Sequence, residues 1–274
     1  MERFLKKVIR EKIKFGVDFL DFIFSGGVVK GSSLLLSSEI STYPECLFIP
    51  FVTTGLKENE NIILINFSRP PEDVLRLIVH HLEENGLNYL EDALKENCFF
   101  LMDCYRDYSF EEVTESDQNF IIKMAASAYD PNKLFKVILS IIKRKSSSSF
   151  RIVFDNLSTF SLSLGDKVLY KFFRKLLSEL KYNDVTGLFL AYKDAHEIMF
   201  LNTLYYLTDI VIETSRTEDV AQNIVYNAKV LKYIGQEKLN PDAFLAKYEI
   251  NEKYKAISID WPNFIFNAQK EKSV

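Results

Sequence analysis

The feature that most restricts this 274-residue chain is an alternation of short runs that are apolar throughout with longer amphipathic stretches. Strand-like runs fall at Ser33–Ser37, Asn61–Phe67, Cys98–Asp103, Phe150–Asp155, Thr186–Tyr192 and Asp209–Thr214. Helical periodicity occupies Pro44–Leu56, Pro71–Glu84, Pro131–Lys145 and Asp166–Tyr182. A strand without a polar face must be covered on both sides, and crossover helices between successive strands provide that cover around a parallel sheet. The expected class is α/β: a mostly parallel twisted sheet with helices on both faces. Near the end, Ile224–Tyr233 and Phe244–Ile259 are strand-like with little helix between them, which adds an antiparallel meander at the sheet edge.

Other segments are less regular. Residues Met1–Lys14 place Phe4, Leu5, Val8, Ile9 and Ile13 at helical spacing among basic residues and read as an amphipathic helix. Val17–Phe24, stopped by Ser25-Gly26-Gly27, reads as a short helix. The expected organisation is an N-terminal helix over 1–15, one domain over 16–262 and a tail over 263–274. The acidic stretch Arg106–Asn119 is the expected excursion from the domain, and Ser146–Ser149 a turn. With 34 Lys+Arg against 38 Asp+Glu, the chain lacks the global positive field of a non-specific nucleic-acid binder. Cys46, Cys98 and Cys104 form no CxxC pair, which argues against a disulfide framework and structural zinc. The first residues show no signal-peptide core, and no apolar run approaches the roughly 20 residues of a membrane span. A cytoplasmic protein without membrane contact is expected.

The strand, loop and helix over Ser33–Leu56 form the setting of a phosphate-binding loop. Around it, Gly16-Val17-Asp18-Phe19-Leu20-Asp21, then Gly26-Gly27, then Gly31-Ser32-Ser33-Leu34-Leu35-Leu36-Ser37, resemble the opening of KaiC-like and RadA-like ATPases of the RecA superfamily. Thr54–Glu60 resembles that family's helix exit, Asn66–Glu72 its second-strand exit and Arg151–Ser158 its Walker B strand. Val230–Gly235 lies where the family carries a V-x-K-x-R-G hairpin. The resemblance runs from about Phe15 to Asp260 and rests on the order of these pieces. It implies a RecA-like fold of the P-loop NTPase type, ATP and magnesium as the family's cofactors, and relatives that form rings.

The residues that carry the family's chemistry are replaced. Aligned without a gap, G-x-x-x-x-G-K-[ST] falls on Ser38, Glu39, Ile40, Ser41, Thr42, Tyr43, Pro44 and Glu45. Tyr43 brings a β-carbon where glycine lets the backbone curl around phosphate. Pro44 removes both the lysine charge and an amide donor. Glu45 puts a carboxylate at the phosphate position, where each like-charge pair at about 4 Å costs on the order of 4 kcal/mol at an effective dielectric near 20. Thr42-Tyr43-Pro44-Glu45 also reads as a capping box, with Thr42 capping the helix and Glu45 reaching back to complement its dipole. The family's acidic pair falls on Ser68 and Arg69, neither of which is a general base. Asp155 survives at the residual Walker B position and, without the loop, reads as a cap or turn former. Lys232 matches a family lysine that reaches a neighbour's nucleotide, while the matching arginine is Ile234.

Two further patterns stand apart. Lys167, Lys171, Arg174 and Lys175 share one helix face, a solvated face by default and a contact for nucleic acid or an acidic partner otherwise. Lys143, Arg144, Lys145 and Arg151 would extend it if the fold brought them together. No Ser/His/Asp constellation is legible, and His80 and His81 point to different faces of their helix. The function expected is that of a catalytically inactive KaiC/RadA-like homologue, without bound cofactor, acting on protein partners that include an active RecA-fold relative. The alternatives are a nucleic-acid-binding recombination or repair accessory protein, with weak nucleic-acid binding expected, and an ATP binder with an unconventional loop. The oligomeric state stays open.

Overall fold

Leu34, Leu35 and Leu36 have no exposed surface, and the alternation of side chains along a strand sends Leu34 and Leu36 to one core and Leu35 to the other. The computed structural model, which describes residues 11–82, 86–106, 121–123, 129–145, 149–219, 222–234, 245–251 and 255–259, repeats this two-sided burial across its central sheet. After β1 (Lys12–Ile13), α1 (Asp18–Ile23) and β2 (Val28–Val29) come β3 (Ser33–Ser38), α2 (Glu45–Lys57), β4 (Asn61–Asn66), α3 (Pro71–Leu82) and α4 (Gly86–Lys95). Then follow β5 (Phe99–Asp103), β6 (Ile121–Lys123), α5 (Pro131–Arg144), β7 (Phe150–Asp155), α6 (Leu157–Leu164), α7 (Asp166–Tyr182) and β8 (Thr186–Tyr192). The chain ends with α8 (Ile198–Leu207), β9 (Ile210–Glu218), β10 (Ile224–Tyr233), β11 (Leu245–Ile250) and β12 (Ala256–Ser258).

Ten strands form one sheet in the order β12-β11-β10-β9-β3-β8-β7-β4-β5-β6. From β9 through β3 to β6 the pairing is parallel; from β9 outward to β12 it is antiparallel. Helices α1 to α4 cover one face and α5 to α8 the other. The meander shares the first face, where Phe19 of α1 stacks on Tyr248 of β11 at 5.6 Å. The mostly parallel sheet with an antiparallel end is the architecture that the alternation implies.

Where structure and sequence pattern part, the cause is local. Helix formation over Met1–Lys14 does not hold at its end: Lys12–Ile13 pair antiparallel with Val28–Val29, and residues 1–10 lie outside the described part. Pairing buries Ile13 against the first core, and Lys12 Nζ donates to the carbonyls of Phe24 (2.9 Å) and Ser25 (3.2 Å), which fixes the strand where a helix would turn away. Helix α8, Ile-Met-Phe-Leu-Asn-Thr-Leu-Tyr-Tyr-Leu, is apolar all round and offers no period to read. The acidic excursion falls almost wholly on residues 107–120, outside the described residues; Arg106 before it pairs with Glu72 at 2.7 Å.

Beneath α2 lies a guanidinium with no exposed surface. Arg151, near the start of β7, donates through Nε (3.0 Å) and Nη2 (2.5 Å) to Glu60, and through Nη1 to the carbonyls of Lys14 (2.8 Å) and Phe51 (3.0 Å). Ser149 Oγ donates to the other Glu60 oxygen at 3.0 Å. The expectation that Arg151 extends an exposed basic patch is therefore corrected: a charge this deep is kept because each guanidinium nitrogen finds an acceptor and Glu60 supplies the counter-charge. Gly55 makes room for it, since a Cβ there would lie 2.8 Å from Arg151 Cδ and 2.6 Å from Ile62 Cδ1. Arg151→Met strands the Glu60 carboxylate, which is 7% exposed, and is expected to cost about 3–5 kcal/mol. The double variant Arg151→Met/Glu60→Met should recover most of that loss. Urea midpoints of wild type, both single variants and the double variant measure it, and additive losses would show that the pair is not coupled.

Candidate functional site

A parallel sheet gathers the residues that follow its strands at one edge, and where strand order reverses the loops part to leave a crevice. Here β3, β4, β7 and β8 end at Ser38, Asn66, Asp155 and Tyr192, and the segments leaving them bring together Glu45, Ser68, Arg69, Asp155, Asn156 and Tyr192. Glu45, Ser68 and Arg69 thus meet Asp155.

The loop is held by its own side chains. Thr42, fully buried, donates to the Glu39 carbonyl (2.8 Å) and lies 3.0 Å from Thr214 Oγ1, which donates to Ser38 Oγ at 2.9 Å. Glu39 accepts from the Arg216 amide (2.9 Å) and pairs with Lys193 (3.0 Å), while Ile40 is exposed. Tyr43 keeps a left-handed backbone, φ 46°. A tyrosine there carries a cost of about 1–2 kcal/mol, offset in part by its edge-on contact with Tyr226, centroids 6.2 Å apart.

The expected capping box does not form. Pro44 is the N-cap, without a side-chain bond, and the amides of Leu47 and Phe48 turn to its carbonyl at 3.0 and 3.1 Å. Thr42's hydroxyl is spent inside the loop. Glu45 turns outward to the guanidinium of Arg69, because an opposite charge outcompetes a neutral amide for a carboxylate.

That ion pair sits beside Asp155. Ser68 Oγ donates to Asp155 Oδ1 (2.7 Å) and accepts from Asn156 Nδ2 (2.9 Å). Asp155 is 2% exposed; burial raises its pKa, Glu45 adds to the rise, and Ser68 and Arg69 only partly offset it, leaving it at about 6. Burial works against the charge on Arg69, but Glu45 and Asp155 outweigh it and hold the guanidinium protonated. Tyr192 is pushed far up, first by burial and then by the two carboxylates. The reading of Asp155 as a cap is also corrected: Asn156 caps α6, accepting from the Thr159 amide at 2.7 Å, because its amide oxygen, one residue further on, faces the first turn.

The remaining sequence candidates fall elsewhere. A bulge between Val230 and Lys232 aims Lys232 at the C-terminus of α8, where Nζ donates to the carbonyls of Tyr205 (3.0 Å), Tyr206 (2.9 Å) and Thr208 (2.5 Å). These acceptors complement a helix end, and the lysine's charge opposes the negative pole there. Lys145 turns to the Glu96 carbonyl (2.8 Å) and Cys98 Sγ (3.3 Å). The fold also makes a Ser/His/Asp arrangement that the sequence conceals. Ser158 Oγ lies 2.9 Å from His196 Nε2, and His196 Nδ1 lies 3.8 Å from Asp166. Nothing in the spacing of these residues signals it, since loops far apart in sequence bring them together. Ser158 accepts from the Tyr192 amide (2.8 Å) and is 3% exposed, and 3.8 Å exceeds hydrogen-bond length, so the hydroxyl is a strut between α6 and β8 rather than an offered nucleophile.

Comparison with known proteins adds to this geometry. The family model described as "ATPase: KaiC" matches residues 13–260. Among solved structures, a KaiC-like protein, PH0186, from the hyperthermophilic archaeon Pyrococcus horikoshii OT3 superposes with a TM-score of 0.66 at 15% identity, covering 91% of this chain and 99% of that one. At that identity the superposition shows the fold. No curated protein matches by sequence. Among the described residues, no helix is long and apolar enough to cross a membrane.

The raised pKa of Asp155 has a sign that can be measured. Between an unfolded value of about 3.9 and the folded value of about 6, the native state binds more protons than the unfolded chain, so stability falls as pH rises through that window. Asp155→Asn is uncharged throughout and can still accept from Ser68. It is expected to match wild type near pH 4 and to exceed it by about 1–3 kcal/mol at pH 7. Urea midpoints across that range decide, and parallel curves for the two proteins would show that Asp155 is ionised and satisfied in the fold.

Proposed function

As the chain belongs to the KaiC ATPase family, we propose that it is a member whose nucleotide site is filled by its own side chains and which acts through protein contacts. The observation that carries this reading is the Glu45–Arg69 ion pair at the start of α2, beside Asp155. A helix start after the first core strand is where anionic phosphate would find backbone donors and a favourable dipole. In this chain the negative charge at that point is covalent, and its counter-ion is a guanidinium.

The residues present do not fit ATP with magnesium. A phosphate cradle needs successive amides and a lysine, whereas Pro44 has no N–H and the nearest cation, Arg69, is taken by Glu45. One buried donor of the cluster, Arg69 Nε, has no hydrogen-bond partner, and a single N–H does not replace that cradle. Asp155 is already bonded to Ser68 and has the Arg69 guanidinium beside it, a positive charge that opposes a metal ion at the same place. Neither Ser68 nor Arg69 can polarise a water for attack. With Lys232 engaged at α8, the chain's own architecture uses the residues that resemble an interface contact to a nucleotide. The protein is accordingly a scaffold or regulator, with an active RecA-fold relative among its partners.

The test is direct. Binding to the native state raises stability by about 2.7 kcal/mol at 100 times the dissociation constant. Thermal melts with millimolar ATP and magnesium are expected to show no rise in Tm, and phosphate release is expected to stay at the buffer rate. A magnesium-dependent rise would overturn the proposal, as would hydrolysis that Asp155→Asn abolishes.

A further inference from the structure

On α5 and α7, packed side by side away from the site above, every fully exposed charged residue is basic. On α7 these are Lys167, Lys171, Arg174, Lys175 and Lys181, spread over about 21 Å of helix. On α5 they are Lys133, Lys136, Lys143 and Arg144. Lys175 Nζ lies 4.0 Å from the centroid of Phe135, which places the two rows next to one another. The acids of the two helices, Asp166 and Glu179, are half-buried, and only Lys181 of the nine cations has a carboxylate partner among the described residues, Asp209 at 3.0 Å. On a chain whose net charge is −4, so concentrated a positive face implies that the remaining surface is strongly acidic.

One edge of this face opens into a cavity of about 220 Å³ between α7 and the first residues of β3 and β8. Its walls include Leu177, Leu180, Val185 and Leu207; Arg174 contributes to the same lining, as do Lys181 and Asp209, which pair with each other at 3.0 Å. We infer that this face docks an acidic polypeptide segment, one apolar side chain of which enters the cavity while flanking carboxylates meet Arg174 and its neighbouring cations. The inference rests on the proposed protein-contact role and names the chemistry of the partner.

Two features select a polypeptide over a nucleic acid. An apolar hole within a charged rim is the anatomy of a protein interface, where an anchor side chain supplies affinity and the rim supplies steering. A phosphate backbone would leave the hole empty. Stacking of successive bases also needs several exposed aromatic rings, and α5 and α7 present one, Tyr182 at the last residue of α7. The acidic remainder of the surface would repel a long polyanion while leaving a short acidic segment free to settle on the basic face. The cavity is also smaller than the roughly 300–1,000 Å³ of small-molecule sites, which suits one side chain.

The test uses the full chain and labelled nine-residue peptides. One has a central Phe flanked on each side by four Glu or Asp residues, the other has Ser in place of Phe, and a 20-base-pair DNA duplex is titrated beside them in physiological salt. The Phe peptide is expected to bind at least about tenfold more tightly than the Ser peptide and than the duplex. Lys171→Glu/Arg174→Glu should abolish peptide binding. Ser178→Trp, which fills the cavity mouth without changing charge, should bring the two peptides to equal affinity. The altered residues are all exposed, and unchanged melting temperatures confirm that the variants fold. The inference is overturned if neither peptide binds, if both bind equally to the unaltered protein, if the duplex binds more tightly, or if charge reversal changes nothing. ATP plays no part in these titrations, so this inference and the proposed role can fail separately.

Discussion

Charge that is buried must be answered inside the chain, and strand β7 meets this constraint at both ends. Near its start, Arg151 ties the segment before α1, the body of α2, the α2–β4 turn and β7 through bonds to Lys14, Phe51 and Glu60. At its end, Asp155 sits among Ser68, Arg69 and Glu45. The first cluster is fully paired and holds helix to sheet. The second holds two carboxylates near one guanidinium, which pairs with Glu45 alone, and it lies at the edge where this fold places chemistry.

The two clusters differ in what their charges can exchange. Glu60 and Arg151 are enclosed, so their pairing is a condition of folding. Glu45 and Arg69 are 13% and 27% exposed, so their pairing is a local choice between an internal counter-ion and an external one. Arg69 with Glu45 gives the helix start a neutral, self-contained end, and Tyr43 before it is left-handed. On the proposed reading, the fold keeps the shape of a nucleotide loop with its electrostatics reversed, and recognition passes to a different surface. The α5/α7 face has the opposite character: among the described residues only Lys181 of its nine cations has a carboxylate partner, and an apolar hole lies at its edge.

Much of this was legible beforehand for a simple reason. Binary patterning and glycine positions act over a few residues, and they fixed the parallel strands, the crossover helices and the meander. The order Gly16–Asp21, Gly26-Gly27, Gly31-Ser32 identified the family. Side-chain partners were not legible: Thr42 and Glu45 have the spacing of a capping box, yet each chose a partner that only the fold supplied, Thr214 from β9 and Arg69 from beyond β4. The cap of α6, read at Asp155, fell to Asn156.

By itself, then, the sequence determined the sheet and its two-sided burial, because both are written in local composition and periodicity. Tertiary structure alone decided where the charges went. It buried Arg151, which composition placed with the surface cations, turned Lys232 onto the carbonyls at the end of α8, and set Ser158 against His196. It also laid α5 beside α7, so that two modest basic helices became one face with a cavity. The physical reason is range: a hydrophobic period is satisfied within its own element, whereas a charge or hydroxyl takes the best partner that folding brings within about 3 Å.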